Sequence, residues 1–354
     1  MTVPQQRKPR QIFIAVSASL IVVALTVVLL EGVARIFWKV AYQLPFSQAD
    51  KILYALYPEL TELEWRYPEL AGRKDTVDIL FLGGSALNPA WGNIEQDLRE
   101  QVTAALKRPV RIYNMAVPGH TSRDSYFKYK HLADYEFDLV IFYHGINEAR
   151  ANNAPPELYK ADYTHYAWYE LIQTLEPYHG HSTFALPYTF KFTVIQLKDR
   201  LGLAQYVNID TPKQDWLIYG SDIKSAAAFE SNLKAIIALA QARQEPLLMM
   251  TFATYVPENY SDQAFQAQTL DYSLHLSPLT LWGQPDQVLA AVAQHNQVMK
   301  TMQQDDDRLF FVDQAAQMPT GARYFNDVCH FTSIGSTQFV DNMLDTVLSA
   351  VTPQ

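Results

Sequence analysis

The sequence predicts an α/β protein in which a parallel central sheet is covered by helices on both faces. From residue 77 onward, short apolar runs alternate with longer amphipathic stretches, as strands and helices do in such a fold. Apolar residues make up 49% of the 354 residues and charged residues 18%, which excludes a disordered chain. The formal net charge of −9 argues against a nucleic-acid partner, because an acidic surface repels phosphate backbones.

The N-terminal segment predicts a membrane anchor. Residues 12–30 carry no charge and are long enough to cross a hydrocarbon core of roughly 30 Å as a helix. Basic residues at positions 7, 8 and 10 precede this run, so we expect a cytoplasmic tail at 1–10 and a transmembrane helix at 11–31. Everything after it would lie outside the cytoplasm, in the periplasm or at the cell surface. A cleavable signal peptide is the alternative, although its apolar stretch is typically about 7–15 residues.

After a juxtamembrane segment at 32–75, we expect one domain at 76–354. In its first helix Ile94, Leu98, Val102 and Leu106 recur every four residues, which places them on one face. The predicted strands are 77–82, 110–115, 139–143, 247–252 and 309–312, and the predicted helices are 94–106, 122–133, 223–243, 284–303 and 333–350.

An insertion at about 151–222 breaks the alternation. It is dense in Tyr, His and Pro, and we expect it over the C-terminal edge of the sheet, where ligands bind in such folds. It would be either a tightly packed surface subdomain or a lid or substrate platform.

Four short segments carry groups that could do chemistry, and three of them directly follow predicted strands. Ser85 follows the first strand in Gly-Gly-Ser, Gly119 ends a bend after the second, and Asn147 follows the third. Asp327 and His330 lie in the loop before the last helix. Each has an ordinary explanation when it is taken alone: an N-cap serine, a turn glycine, a turn asparagine and a solvated loop pair.

The Asp327–His330 spacing suits a proton relay. A carboxylate three residues before a histidine can bind one ring nitrogen and leave the other to take a proton from a serine. A metal-binding pair is the alternative, but the sequence holds no His-Glu-x-x-His motif and no cysteine cluster to complete it. The single cysteine, Cys329, cannot form an internal disulfide, and we interpret it as a small packing residue.

In order and placement, the four segments resemble the SGNH hydrolases, also called GDSL esterases and lipases, and in particular the membrane-anchored bacterial type. The resemblance covers the chain from about residue 77 to 350 and leaves out the anchor, the juxtamembrane segment and the insertion. It implies a three-layer, flavodoxin-like fold with a parallel central sheet.

The resemblance also implies a role for each residue. Ser85 would attack an ester carbonyl, His330 would take the proton of Ser85 and pass it to the leaving alcohol, and Asp327 would orient His330. The oxyanion would be held by the N–H groups of Ser85 and Gly119 and by the side chain of Asn147. No metal and no organic cofactor is needed.

Two positions depart from the family's pattern. Gly84 stands where the namesake Gly-Asp-Ser motif has an acidic residue, and Glu148 stands where the Gly-x-Asn-Asp motif has aspartate. The extra methylene of Glu148 could shift its loop and therefore the aim of Asn147.

We therefore expect a membrane-anchored serine esterase that hydrolyses an O-acyl or O-acetyl ester on an envelope glycan or lipid. An O-acyltransferase using the same triad is the first alternative, because the two activities share all steps up to the acyl-enzyme. A catalytically silent scaffold or binding protein of the same fold is the second.

Overall fold

The structure is a computed structural model that describes residues 9–66, 75–180, 183–203, 206–207, 213–302 and 306–352. Parts of the predicted tail (1–8), the juxtamembrane segment (67–74) and the insertion (181–182, 204–205 and 208–212) lie outside the described residues. The strands are β1 Val77–Gly83, β2 Val110–Asn114, β3 Leu139–Tyr143, β4 Leu247–Met250 and β5 Leu309–Val312. The α-helices are α1 Pro9–Tyr42, α2 Pro58–Arg66, α3 Ile94–Leu106, α4 Ser122–Lys130, α5 Ala167–Leu175, α6 Leu186–Arg200, α7 Ser225–Arg243, α8 Asp262–Gln266, α9 Pro285–Thr301, α10 Gln314–Gln317 and α11 Ser333–Val351. Short 3₁₀ helices occupy Ala49–Ala55, Ser85–Leu87, Ile146–Asn152, Glu176–Tyr178, Gln214–Ser221 and Leu279–Leu281.

The strands form one parallel sheet in the order β2-β1-β3-β4-β5. This is the flavodoxin-like order, in which the direction of winding reverses between β1 and β3. The predicted α/β fold class and its parallel sheet are therefore confirmed. The predicted fourth strand ends two residues early, because the Phe252 N–H donates to Asn296 Oδ1 at 2.7 Å and no longer to a neighbouring strand.

Helices cover both faces of the sheet, which explains why every residue of β1, β3 and β4 is buried. The odd-numbered residues of β1, such as Ile79 and Phe81, pack in one core with residues of α3 and α11. On the opposite face, the ring of Phe142 lies 6.1 Å from that of Phe229 in α7, and α4 and α9 pack beside α7.

The described residues divide into two compact units, which we call the helical unit (described residues of 1–58 and 170–204) and the sheet unit (described residues of 59–169 and 205–354). In the helical unit, the second half of α1 packs against α6. The Trp38 indole N–H donates to Thr189 Oγ1 at 2.9 Å, and the Glu31 carboxylate accepts the backbone N–H groups of Ala185 and Leu186 at 2.8 Å each. That carboxylate satisfies donors that the start of α6 would otherwise leave unpaired.

The insertion is therefore not one piece. Residues 170–204 belong to the helical unit with α1, whereas 151–169 and the described part of 205–222 belong to the sheet unit. The second group includes Trp168 and Tyr169, which both donate to Asp124 at the start of α4. The sequence could not indicate this division, because the contacts between 170–204 and α1 span about 150 positions.

The first half of α1 has no protein packed around it. Phe13, Leu20 and Val28 are each at least 65% exposed, and none of the most apolar stretch of the helix is buried. An apolar helix was predicted here and is present. A buried core helix is excluded by this exposure.

Candidate active site

Ser85 follows β1 after a single residue, Gly84, and lies at the C-terminal edge of the sheet. It begins the 3₁₀ turn Ser85–Leu87, and the next α-helix along the chain, α3, begins at Ile94. Gly83 permits the tight turn, since a Cβ there would lie 2.8 Å from Leu87 Cδ1 and 3.2 Å from the Tyr143 carbonyl oxygen.

The loop before α11 is held by its own aspartate. Asp327 Oδ1 accepts the backbone N–H of Cys329 at 3.0 Å and that of His330 at 2.9 Å. The Asn326 N–H donates to the His330 carbonyl at 2.7 Å, which closes the turn. These bonds lie within the loop, so they fix the Asp327 side chain and the His330 backbone independently of the contact with Ser85.

Ser85, His330 and Asp327 form a continuous hydrogen-bonded relay. His330 Nε2 lies 2.8 Å from Ser85 Oγ, and His330 Nδ1 lies 2.7 Å from Asp327 Oδ2 and 2.9 Å from Oδ1. A carboxylate only accepts, so it selects the tautomer with the proton on Nδ1 and leaves Nε2 to accept the serine proton. Asp327 is fully buried and Ser85 is 9% exposed, so the relay reaches solvent at its serine end.

Trp91 covers the histidine. Its ring stacks on the imidazole of His330 with 4.2 Å between centroids and 26° between planes. A cation above an aromatic face is stabilised, so this contact favours the imidazolium that forms when His330 takes the serine proton. Sequence reasoning missed Trp91, which lies in a loop without hydrophobic periodicity six residues after Ser85.

Asn147 lies beside the serine turn. Its Nδ2 donates to the His120 carbonyl at 2.8 Å, and a Cβ on Gly84 would lie 2.8 Å from the same nitrogen. The amide is therefore held between the residue that precedes Ser85 and the residue that follows Gly119. This position suits a donor to an oxyanion formed at Ser85.

Gly119 ends the bend after β2 in the left-handed region, with φ +81°, which favours glycine. Two asparagine side chains join this bend to the serine turn: Asn88 Nδ2 donates to the Ala116 carbonyl at 2.7 Å, and Asn114 Nδ2 donates to the Leu87 carbonyl at 2.8 Å. The segments of Ser85 and Gly119 are thus fastened to each other.

The extra methylene of Glu148 does not displace the Asn147 side chain from the serine turn. Glu148 Oε1 accepts the backbone N–H of Ser122 at 2.5 Å, so it caps the first residue of α4 while Asn147 stays beside Gly84. Glu148 is fully buried, and burial raises the pKa of its carboxyl to about 7. The longer side chain therefore reaches a helix start, which the sequence alone did not reveal.

The metal alternative for Asp327 and His330 does not fit the geometry. A ligand atom from each of Asp327, Cys329 and His330 lies within 4.8 Å of the others. However, both nitrogens of His330 already contact the serine and the aspartate, and burial raises the pKa of the Cys329 thiol well above its usual value. A protonated thiol is a poor metal ligand and a poor nucleophile.

A second serine–histidine pair lies in the interior and lacks the carboxylate. Ser225 Oγ is 2.8 Å from His295 Nε2, and His295 Nδ1 faces the Gly145 carbonyl at 2.8 Å. All of this pair is buried, and burial lowers the pKa of His295 to about 4. It is a structural contact that fastens the loop after β3.

The structure thus joins Ser85, His330 and Asp327 by direct contacts, and it links Asn147 and the bend of Gly119 to the serine turn through neighbouring residues. Besides Trp91, sequence reasoning missed Trp282, whose indole N–H donates to Asn147 Oδ1 at 2.9 Å. No pattern marks Trp282, because it lies in the irregular stretch between β4 and α9.

No family model matches the chain, and no curated protein matches it. Solved structures do. The fold is similar to that of a GDSL-like lipase from Bacteroides thetaiotaomicron, with 12% identity over 83% of this chain and 99% of that one and a TM-score of 0.43. An acetylxylan esterase from Geobacillus stearothermophilus matches with 12% identity over 80% of this chain and 98% of the other, at a TM-score of 0.41. A lipase/acylhydrolase from Enterococcus faecalis matches with 12% identity over 78% of this chain and 98% of the other, at a TM-score of 0.37.

Proposed function

We propose that this chain is a serine ester hydrolase of the SGNH type. The observation that carries the proposal is the relay from Ser85 Oγ through His330 to Asp327, with contacts of 2.8 and 2.7 Å. A structural serine–histidine contact needs no third member, as the pair of Ser225 and His295 illustrates. The aspartate is what makes the histidine an effective base.

The chemistry follows from the proton positions. Ser85 Oγ attacks the ester carbonyl while its proton passes to His330 Nε2, and the imidazolium is stabilised by Asp327. The carbonyl oxygen becomes an oxyanion, to which the N–H groups of Ser85 and Gly119 and Asn147 Nδ2 donate. His330 returns the proton to the leaving alcohol, and a water molecule then releases the acid from the acyl-enzyme by the same steps in reverse.

We propose that α1 anchors the enzyme in a membrane. The helix is long and apolar enough to cross a bilayer, and its first half is exposed. It continues unbroken past the uncharged stretch to Tyr42, and its later turns pack on α6, so the anchor and the helical unit are one piece. This continuity favours an anchor over a cleaved signal. An ester on an envelope lipid or glycan is then the substrate within reach.

The catalytic proposal is tested with the full chain in detergent micelles. We expect a fluorophosphonate probe to label Ser85, identified by peptide mass spectrometry, and a short-chain nitrophenyl ester to be hydrolysed. Ser85→Ala and His330→Ala should abolish both, whereas Ser225→Ala should keep the label on Ser85. A folded wild-type chain that neither labels nor hydrolyses would refute the enzyme and favour a silent binding protein. A product that forms only when a glycan acceptor is added would identify an acyltransferase.

Topology is tested separately with an introduced thiol. The single native cysteine, Cys329, is buried, so it gives little background. Lys234 has a 60% exposed side chain on α7, and Lys234→Cys should react in intact cells with a membrane-impermeant maleimide. Reaction only after the cells are broken would contradict an extracytoplasmic domain.

A further inference from the structure

The two ends of the Asn147 amide have the same shape and opposite hydrogen-bonding character. Only the NH₂ end can stabilise an oxyanion, and a rotated amide would present its oxygen and repel the charge. The protein must therefore specify the orientation of this side chain. Glu148 accepts the N–H of Ser122 and so holds its own loop, whereas the Asn147 amide is oriented by other partners.

Trp282 and the His120 carbonyl together specify the orientation of the Asn147 amide. The Trp282 indole N–H donates to Asn147 Oδ1 at 2.9 Å, while Asn147 Nδ2 donates to the His120 carbonyl at 2.8 Å. An indole nitrogen can only donate and a carbonyl can only accept, so both partners demand the same orientation. Trp282 is 2% exposed and Asn147 is 7% exposed, so water offers little compensation if the amide turns over.

The segment that carries Asn147 also holds Trp282 in place. Asn153 Nδ2 donates to the Trp282 carbonyl at 2.6 Å, and a Cβ on Gly283 would lie 3.0 Å from both amide atoms of Asn153. The guanidinium carbon of Arg150 lies 5.6 Å from the centre of the indole ring. The tryptophan is thus fastened to the 3₁₀ helix Ile146–Asn152 and its next residue, at two points besides Asn147.

We propose that Trp282 is a positioning residue for the oxyanion donor. Its N–H fixes the Asn147 amide so that one Nδ2 hydrogen satisfies His120 and the other faces the site beside Ser85. Trp282 does not touch the substrate and acts through Asn147. This inference rests on the proposed ester hydrolysis.

The test is a double-mutant cycle on the full chain with a nitrophenyl ester. Trp282→Phe keeps an aromatic ring and removes the N–H. We expect kcat to fall at least tenfold with KM little changed, since the lost orientation matters only in the transition state. In an Asn147→Ala background the same substitution should cause no further loss in kcat. Trp91→Phe is the matched control, because it removes a site tryptophan that stacks on His330, and its effect should persist in both backgrounds.

Benzothienylalanine at position 282 replaces the N–H by sulfur at nearly constant shape, and it should reproduce the loss if Trp282→Phe folds poorly. An unchanged kcat in that variant, or an effect equal in both backgrounds, would overturn the positioning role. If the wild-type chain hydrolyses no ester, the enzyme proposal fails and the role fails with it. In that case, ¹⁵N labelling of the six tryptophans still tests the contact itself, because the Trp282 indole signal should shift in Asn147→Ala.

Discussion

Glu148→Gln isolates the effect of a charge buried beside the candidate site. Glutamine has the same length and retains a carbonyl oxygen that can accept the Ser122 N–H, which Glu148 Oε1 accepts at 2.5 Å. It cannot ionise. Any difference between the two side chains that depends on pH therefore reports the ionisation of Glu148, whose pKa burial raises from 4.5 to about 7.

Because the pKa of Glu148 is raised in the folded chain, the free energy of unfolding falls as the pH rises. Below pH 4.5 the Glu148 carboxyl is protonated in both the folded and the unfolded chain, so its ionisation does not lower the free energy of unfolding. Between pH 4.5 and 7 the unfolded chain loses its proton first, so the folded state loses stability until it ionises as well. The gap between the two pKa values corresponds to about 3 kcal/mol, of which about 2 kcal/mol falls between pH 5 and 8.

The assay is urea unfolding of the full chain in micelles at pH 5, 6, 7 and 8, followed by near-ultraviolet circular dichroism. We expect Glu148→Gln to gain about 2 kcal/mol relative to wild type from pH 5 to pH 8. Glu230→Gln is the control, since it makes the same substitution at a carboxylate that forms a surface pair with Lys234. Parallel pH profiles for wild type and Glu148→Gln would refute the reasoning.

Three further predictions concern catalysis. Gly84→Ala should lower kcat by at least tenfold with little change in melting temperature, because the added Cβ would lie 2.8 Å from Asn147 Nδ2 and displace that donor; steady-state kinetics and thermal melts check both parts, and an unchanged kcat would contradict the position of the amide. Asp327→Asn should lower kcat by on the order of 10³ to 10⁴, because an amide no longer selects the Nδ1 tautomer of His330; a loss below tenfold would argue against the relay. The buried Cys329 thiol, whose pKa is raised, should resist iodoacetamide in the folded chain, and Cys329→Ala should stay active; rapid alkylation that abolishes activity would contradict this.

Much of the fold could be predicted because its signals are local. The strands are continuous apolar runs and the helices repeat at 3.6 residues, so both are visible within a short window. The site was also predictable in part, since Ser85, Gly119 and Asn147 each follow a strand and parallel strands end at one edge. The three-residue spacing of Asp327 and His330 indicates a carboxylate–histidine pair.

The rest depends on contacts between distant positions. Trp91 and Trp282 lie in loops without periodicity, and only the folded chain shows that one stacks on His330 and the other donates to Asn147. The same holds for Glu148, whose partner Ser122 is 26 positions away. Residue type and spacing indicate which hydrogen bonds and contacts a side chain can form. Only the folded chain shows which partner it has and therefore which role it takes.

The candidate oxyanion site is stabilised by side-chain amides that join separate loops. Asn88 and Asn114 join the serine turn to the bend of Gly119, and Asn147 donates to the carbonyl of the residue after that bend. Each of the three amides donates to a backbone carbonyl of another loop. The three proposed donors are therefore held as one body, which is what preorganised stabilisation of a developing charge requires. On this argument, loss of the Asn88 or Asn114 amide should lower kcat although neither is a proposed oxyanion donor.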